Sequence, residues 1–127
     1  MVNRLKWLIT MSNITEIFKE KIGTWEFDPE IVHHFSDGLY TKQFTIPKGY
    51  IVGQHSHTYS HLSILAKGRV ILKTDDYNTE YIAPVCIEIK AGVNHLIEAV
   101  EDTIWYCIHH TDEKDINKID EVLTRKV

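Results

Sequence analysis

The sequence predicts an all-β domain with a short helix at each end, and three observations support this fold class. Between residues 25 and 110, short runs of β-branched and aromatic residues alternate with turn residues, as in β-sandwiches and β-barrels. The chain has 127 residues, which is the size of one domain. Its 43% hydrophobic and 25% charged residues are typical of a globular protein with a buried core. We therefore expect a single domain.

The two predicted helices flank the strand region. Asn13 can cap a helix over residues 14–22, where apolar residues recur at helical spacing and Gly23 provides a stop. After Thr111 helical spacing returns, and we expect this helix to pack against the outside of the sheet or across a dimer. The predicted organisation is a tail with a short helix over residues 1–24, a β-barrel over 25–110 and a C-terminal helix over 111–127.

Eight strands are predicted between turn motifs such as Ser36-Asp37-Gly38. Such regular spacing of short strands favours a sandwich or a barrel over a mixed α/β fold. The predicted strands span residues 25–35, 39–46, 50–57, 61–66, 69–74, 78–89, 93–99 and 103–110.

The charge and apolar pattern exclude several classes of partner. Fourteen Lys and Arg against eighteen Asp and Glu give a net charge of -4, which offers no basic field for nucleic acid. No apolar run approaches the roughly 20 residues that cross a bilayer, and the first ten residues lack the features of a signal peptide. Two cysteines are weak evidence for a disulfide framework. We therefore expect a cytoplasmic protein with neither nucleic acid nor membrane as a partner.

The eight histidines include four at spacings that suit metal binding. In a strand His55 and His57 project to the same face, about 7 Å apart. A turn of three residues can return His61 to that face, and a barrel can bring His95 opposite, a step that depends on the fold. This pattern predicts one metal ion held by side chains that are distant along the chain.

The first three of these histidines lie in a stretch that resembles a family motif. Gly49-x5-His55-x-His57-x3-His61-x6-Gly68 is similar to the first cupin motif, G(X)5HXH(X)3,4E(X)6G. The match holds at every position except one, because His61 stands where Glu is usual.

The second cupin motif, G(X)5PXG(X)2H(X)3N, is matched more loosely. Gly92 and His95 are in place, while Lys90 holds the proline position and Ala99 the asparagine position. The resemblance covers roughly residues 39–110. It implies a conical β-barrel, the jelly-roll-like double-stranded β-helix, with a metal near one mouth and commonly a homodimer. The implied ligands are His55, His57, His61 and His95.

An all-imidazole ligand set changes the chemistry that the resemblance implies. Four neutral imidazoles leave a divalent ion at +2, which makes it a stronger Lewis acid than one bound by three His and one Glu. Ligand softness favours Zn, Ni, Cu or Fe(II), while similar cupins also carry Mn, so one divalent transition metal of these five is expected. Acid should release it, because imidazole must be neutral to bind. A closed structural zinc site is the alternative.

The strand over residues 103–110 is predicted to line the pocket. In similar cupins an aromatic residue and a cysteine of this strand point toward the metal, which favours Trp105, Cys107 and His109 as inward. His109 is then a candidate acid or base beside the metal. The alternatives are a buried histidine bonded to a carbonyl and a small core cysteine.

Three further expectations concern polar side chains around this pocket. Lys42 should face water, which makes Gln43 on the next position a candidate catalytic residue in the cavity. Tyr59, in the turn between ligands, is a candidate for a hydrogen bond to the substrate. His33 and His34 are adjacent and point to opposite faces, and we expect neither to be a ligand.

These features together predict a metal-dependent oxidoreductase of dioxygenase type acting on a small organic molecule. If the ion is Zn or Ni, a non-redox lyase, isomerase, cyclase or hydrolase is expected instead. A non-catalytic cupin that binds a small ligand is the other alternative. A barrel whose histidines bind no metal is a third.

Overall fold

A computed structural model describes residues 30–54 and 59–123. For residue 54 and residues 120–123 it describes the backbone alone. The predicted helix over residues 14–22, the first part of the strand predicted over 25–35, and the segment with His55 and His57 lie outside the described residues.

Strands dominate the described part of the chain, and one helix follows them. Each strand is short, and turns that include Gly38, Gly49 and Gly68 at positive φ connect several of them. The elements are β1 (Glu30–Ser36), β2 (Leu39–Ile46), β3 (Ile51–Gln54), β4 (His61–Lys67), β5 (Arg69–Lys73), β6 (Asn78–Ile82), β7 (Val85–Ile89), β8 (His95–Ala99), β9 (Thr103–His110) and α1 (Ile116–Leu123).

The strands form two antiparallel sheets. One has five strands in the order β1-β2-β9-β4-β7, and the other has four in the order β3-β8-β5-β6. The apolar core draws on both, with Leu65 and Trp105 from the five-stranded sheet and Leu72 and Ile97 from the four-stranded one. The core therefore lies between the sheets, and the predicted all-β class is confirmed.

Most predicted strands agree with the structure, and one is wrong. The strands predicted over residues 39–46 and 103–110 have the bounds of β2 and β9. The single strand predicted over residues 78–89 is two strands, interrupted at Ala83 and Pro84, where the chain passes from the four-stranded to the five-stranded sheet. Proline has no N–H to give to a ladder, so it is expected at a strand end rather than inside a strand. Pro84 was the signal for this break.

The inner face of the five-stranded sheet is apolar at one end of its strands and carries histidines at the other end. Cross-strand register places inward side chains in rows that run across β1, β2, β9, β4 and β7. The apolar row is Ile31, Phe44, Trp105, Leu65 and Val85; the middle row is His33, Lys42, Cys107, Ser63 and Ile87; and the histidine row is Phe35, Tyr40, His109, His61 and Ile89.

Helix α1 packs at the end of the sheet that holds the histidine row. Asp115 caps it, since its Oδ1 accepts a hydrogen bond of 2.8 Å from the backbone N–H of Asn117. Ile119 is fully buried in a small cluster with Tyr40 of the inner face, so the expectation that this helix packs on the outside of the sheet is wrong. Within the described ranges, no helix is long and apolar enough to span a bilayer.

Candidate metal centre

His61 is the first residue of β4 and is only 5% exposed. Its Nδ1 lies 3.3 Å from the carbonyl oxygen of Leu62. Because a carbonyl oxygen can only accept, Nδ1 carries the proton in this hydrogen bond and the neutral ring keeps its lone pair on Nε2. Nε2 is itself buried. The ring therefore presents a metal-binding nitrogen inside the protein.

His95 repeats this arrangement in the other sheet. It is the first residue of β8, it is 1% exposed, and its Nδ1 lies 3.4 Å from the carbonyl oxygen of Val93. The same reasoning assigns the proton to Nδ1 and the lone pair to Nε2. The backbone of Gln54 in β3 is in register with His95.

These two rings fit the divalent metal that the sequence predicts. Metal-bound histidines usually donate the other ring N–H to a carbonyl, a carboxylate or water, which fixes the tautomer and the orientation of the ring. His61 and His95 both do so. Among the described residues, no three His, Cys, Asp or Glu side chains form a metal-binding group. His55 and His57 lie outside that part of the chain, so the four-histidine set remains a prediction.

The inward orientation predicted for the last strand is confirmed. Trp105, Cys107 and His109 are all buried, with exposures of 0%, 2% and 2%. The ring centroid of His109 lies 4.4 Å from that of His61 on the adjacent strand, with an angle of 45° between the ring planes. On its other side His109 stacks against Tyr40 at 6.0 Å. His109 therefore lies beside a predicted ligand.

Tyr59 also reaches this group. Its hydroxyl lies 3.4 Å from Nδ1 of His109, and the two rings meet edge to face at 6.0 Å. Partial burial raises the pKa of the Tyr59 phenol above its ordinary value of 10.0, because the phenolate loses solvation. The phenol is therefore protonated at neutral pH and can donate a hydrogen bond.

Cys107 lies in the middle row, next to the histidine row. Its sulfur accepts a hydrogen bond from Nε1 of Trp105 at 3.3 Å and another from the hydroxyl of Ser63 at 3.6 Å. Cys107 also belongs to the apolar core cluster between the sheets. The thiol therefore takes part in core packing, as the alternative interpretation of this residue expects, and it lies in the row next to His61 and His109.

The expectation that Gln43 lines the cavity is wrong. Tyr40 and Phe44 are buried on the inner face, so strand alternation turns Gln43 outward, where its Oε1 accepts a 2.8 Å hydrogen bond from exposed His34. Lys42 is on the inner face instead, half-buried, with its amino group 5.5 Å from the centre of the Phe44 ring. A lysine can occupy a half-buried position because its aliphatic stem is apolar and its charge can remain near water.

One polar pair was missed by the sequence interpretation. Nδ1 of His33 forms a 2.7 Å hydrogen bond with the hydroxyl of Tyr40, and the two rings stack at 5.8 Å. The available signal was strand alternation, because His33 is in phase with the apolar residues Ile31 and Phe35. This pair supports the ring of Tyr40, which in turn packs on His109.

Comparison with known proteins identifies the fold. No protein-family model and no curated protein sequence matches the chain. Solved structures do match. A cupin superfamily protein from Desulfitobacterium hafniense has a TM-score of 0.58 at 17% identity, over 73% of this chain and 86% of that one.

Two other structures agree with this result. A cupin-2 domain containing protein from Shewanella frigidimarina has a TM-score of 0.54 at 18% identity, over 74% of this chain and 92% of that one. An uncharacterized Klebsiella pneumoniae protein with a double-stranded β-helix domain has a TM-score of 0.60 at 13% identity, over 76% and 89%. At these identities the likeness establishes the fold alone. The chain therefore has the double-stranded β-helix fold of the cupin superfamily, as its histidine motif predicts.

Proposed function

We propose that this protein is a metal-dependent enzyme of dioxygenase type that acts on a small organic molecule. In this proposal His55, His57, His61 and His95 hold one divalent transition metal. The observation that carries the proposal is that His61 and His95 have the same burial and the same kind of hydrogen bond. Both are buried, and both give Nδ1–H to a backbone carbonyl so that the lone pair is on Nε2.

The ion would supply redox chemistry with dioxygen if it is Fe, Mn or Cu, and Lewis-acid chemistry if it is Zn or Ni. The protein side chains supply orientation and a dry environment. Trp105, Cys107 and His109 are buried on the same face of β9, so this face excludes water. Tyr59 is half-buried and protonated, so its hydroxyl can donate to a polar atom of the substrate.

A non-redox lyase, isomerase or cyclase is the second candidate function. It is favoured by the donor set itself, because imidazole suits Zn and Ni as well as Fe or Cu. A set of neutral ligands also leaves the full +2 charge of the ion to polarise a carbonyl. A non-catalytic cupin that binds a small ligand through the metal is the remaining alternative.

Metal analysis and oxygen uptake test this proposal. Purified protein should contain about one equivalent of a divalent transition metal, since the motif supplies one set of ligands. Reconstituted with each of the five metals, it is then assayed for oxygen consumption with diketones, catechols, thiols and phenolics. Oxygen consumption dependent on one of these metals supports the dioxygenase. Metal binding without oxygen consumption overturns it in favour of Lewis-acid chemistry or binding, and absence of metal binding overturns all three.

A His61→Glu variant tests the argument from charge. It restores the usual cupin ligand set, lowers the net charge of the site by one, and should shift metal preference toward harder ions such as Mn²⁺. His110→Glu is the matched control, because it introduces the same charge at an exposed position of β9. Equal metal preference in both variants would show that the all-imidazole set does not tune the ion.

A further inference from the structure

We infer that residues 1–29 of this chain cover the outer face of the four-stranded sheet. This outer face consists of the side chains of β3, β8, β5 and β6 that point away from the core between the two sheets. The inference is independent of the proposed function, because it needs neither a metal ion nor a substrate.

Burial on the outer side of β8 is the first observation. Ile97 and Ala99 belong to the core between the sheets, so alternation along the strand turns Leu96 and Glu98 outward. An antiparallel sheet that covers a core with one face commonly has its other face in water. Leu96 is nevertheless 0% exposed and Glu98 is 9% exposed. Other residues of the protein must therefore lie on this face.

The neighbouring strands show that the covered area is wider than β8. Ile51 of β3 is the cross-strand partner of Glu98 and is 3% exposed. Lys73 of β5 is the partner of Leu96, and its amino group lies 3.2 Å from Oε1 of Glu98. The side chains of this ion pair are only 19% and 11% exposed, although lysine and glutamate are usually solvated. The covered area therefore includes β3, β8 and β5.

The residues that bury this face lie outside the described ranges. Leu96 and Ile51 belong to neither of the apolar clusters that the described residues form. Helix α1, which belongs to the described part of the chain, packs against Tyr40 in the other sheet. The candidates are therefore residues 1–29, the connection over 55–58 and the C-terminal residues 124–127.

The direction in which burial decreases identifies the edge from which the covering segment comes. On β6, beyond β5, Ile82 is 66% exposed and the side chain of Glu80 is 49% exposed. Burial of the outer face is thus greatest at β3 and β8 and lowest at β6. β1 lies at the β3 edge of the domain, because β2 pairs with β1 and continues into β3. Residues 1–29 lead into Glu30, the first residue of β1, and therefore start from this edge.

Length and composition distinguish residues 1–29 from the other two segments. Residues 55–58 connect β3 to the five-stranded sheet, residues 124–127 follow α1, and each segment has only four residues. The predicted helix over residues 14–22 is about 13.5 Å long, and the first and third of three adjacent strands are about 10 Å apart. The apolar side chains that recur along this helix are Ile14, Ile17, Phe18 and Ile22. Residues 1–29 can therefore span the buried area and supply apolar contacts to Leu96.

The test compares Leu96→Gln with Leu62→Gln in the full chain by limited digestion with trypsin. Gln is close to Leu in size, but its amide loses water when it is buried without a partner. Leu62 is the matched control, because it is 49% exposed on the outer face of the five-stranded sheet. Cleavage after Lys19 and Lys21 reports the release of residues 1–29.

We expect Leu96→Gln to raise the rate of cleavage after Lys19 and Lys21 by at least about 10-fold, since proteolysis follows the population of the open form. Leu62→Gln should leave this rate unchanged. Cleavage after Arg69 in β5 should remain slow in both variants, which shows that the sheets are still folded. Equal rates after Lys19 and Lys21 in Leu96→Gln and in the unaltered chain overturn the inference.

A measurement on the unaltered protein covers the case in which Leu96→Gln does not fold. In an isotope-labelled sample, nuclear Overhauser contacts should link the methyl groups of Leu96 and Ile51 to side chains within residues 1–29. A mixture of labelled and unlabelled protein distinguishes contacts within one chain from contacts between two copies. Contacts within one chain support the inference. Contacts between copies, or the absence of any contact from Leu96 to residues 1–29, overturn it.

Discussion

The apolar row and the histidine row lie on the same strands, four residues apart, yet they differ in almost every property. In the apolar row, Trp105 and Leu65 are fully buried among hydrophobic neighbours from both sheets. In the histidine row, the same strands carry His109 and His61, equally buried but hydrogen-bonded to polar atoms. Burial alone therefore does not distinguish core from candidate site in this barrel. The two are distinguished by whether the buried side chains of the row are apolar or polar.

We therefore expect the end of the sheet with the apolar row and the end with the histidine row to have different roles. Apolar burial contributes roughly 25 cal/mol per Å² to folding, so the end with Trp105 should contribute most to stability. Buried imidazoles contribute less, because their desolvation offsets the hydrogen bonds that they form. Substitutions at the apolar end should therefore affect unfolding, and substitutions at the histidine row should affect metal binding.

Trp105→Ala should have the largest effect. It removes a fully buried side chain and one hydrogen-bond donor to the sulfur of Cys107, and it should lower the free energy of unfolding by about 3–5 kcal/mol. Urea denaturation followed by circular dichroism measures this loss. A loss below about 1 kcal/mol would contradict the assignment of this end as the main source of stability.

Gly68→Ala should have the next largest effect, also at the apolar end. Gly68 has φ of 94°, and a Cβ there would clash with the backbone oxygen of Asp102, so strain and overpacking together should cost about 3 kcal/mol. Gly49→Ala is the matched control, since Gly49 has φ of 89° with no atom within 4 Å of such a Cβ. It should cost about 1 kcal/mol in the same denaturation experiment. Equal losses of stability in the two variants would show that the structure adjusts to relieve the contact between the added Cβ and Asp102.

Tyr40→Phe tests the polar contacts of the histidine row. It removes the hydroxyl that is bonded to Nδ1 of His33 but keeps the ring that stacks on His109, so it should cost about 1 kcal/mol of stability. Urea denaturation measures the loss. A cost as large as that of Trp105→Ala would remove the energetic distinction between the two ends.

Gln43→Ala should have the smallest effect. Gln43 is on the outer face and bonds to exposed His34, so its loss should change stability by less than about 0.5 kcal/mol. Metal affinity should be unchanged in a chelator titration. A marked loss of metal binding would restore the role in the cavity that the sequence suggests for this residue.

Strand alternation and turn chemistry made much of the fold predictable. The bounds of β2 and β9 follow from runs of β-branched and aromatic residues between turns, and the inward set of β9 follows from its period of two. Prediction failed on β2 because both of its faces carry apolar and polar residues. Assuming that Lys42 faces water selected the wrong face, whereas the buried residues Tyr40 and Phe44 determine it.

The strand periodicity, the class of fold and the spacing of the histidine motif can be predicted from the sequence, because they depend on residues that are close along the chain. The contact of His109 with His61 and that of His33 with Tyr40 became evident from the folded structure. Those contacts depend on which strands are neighbours and in which register they pair. Register is a property of the whole sheet, since each strand is aligned by burial of its apolar side chains against the others.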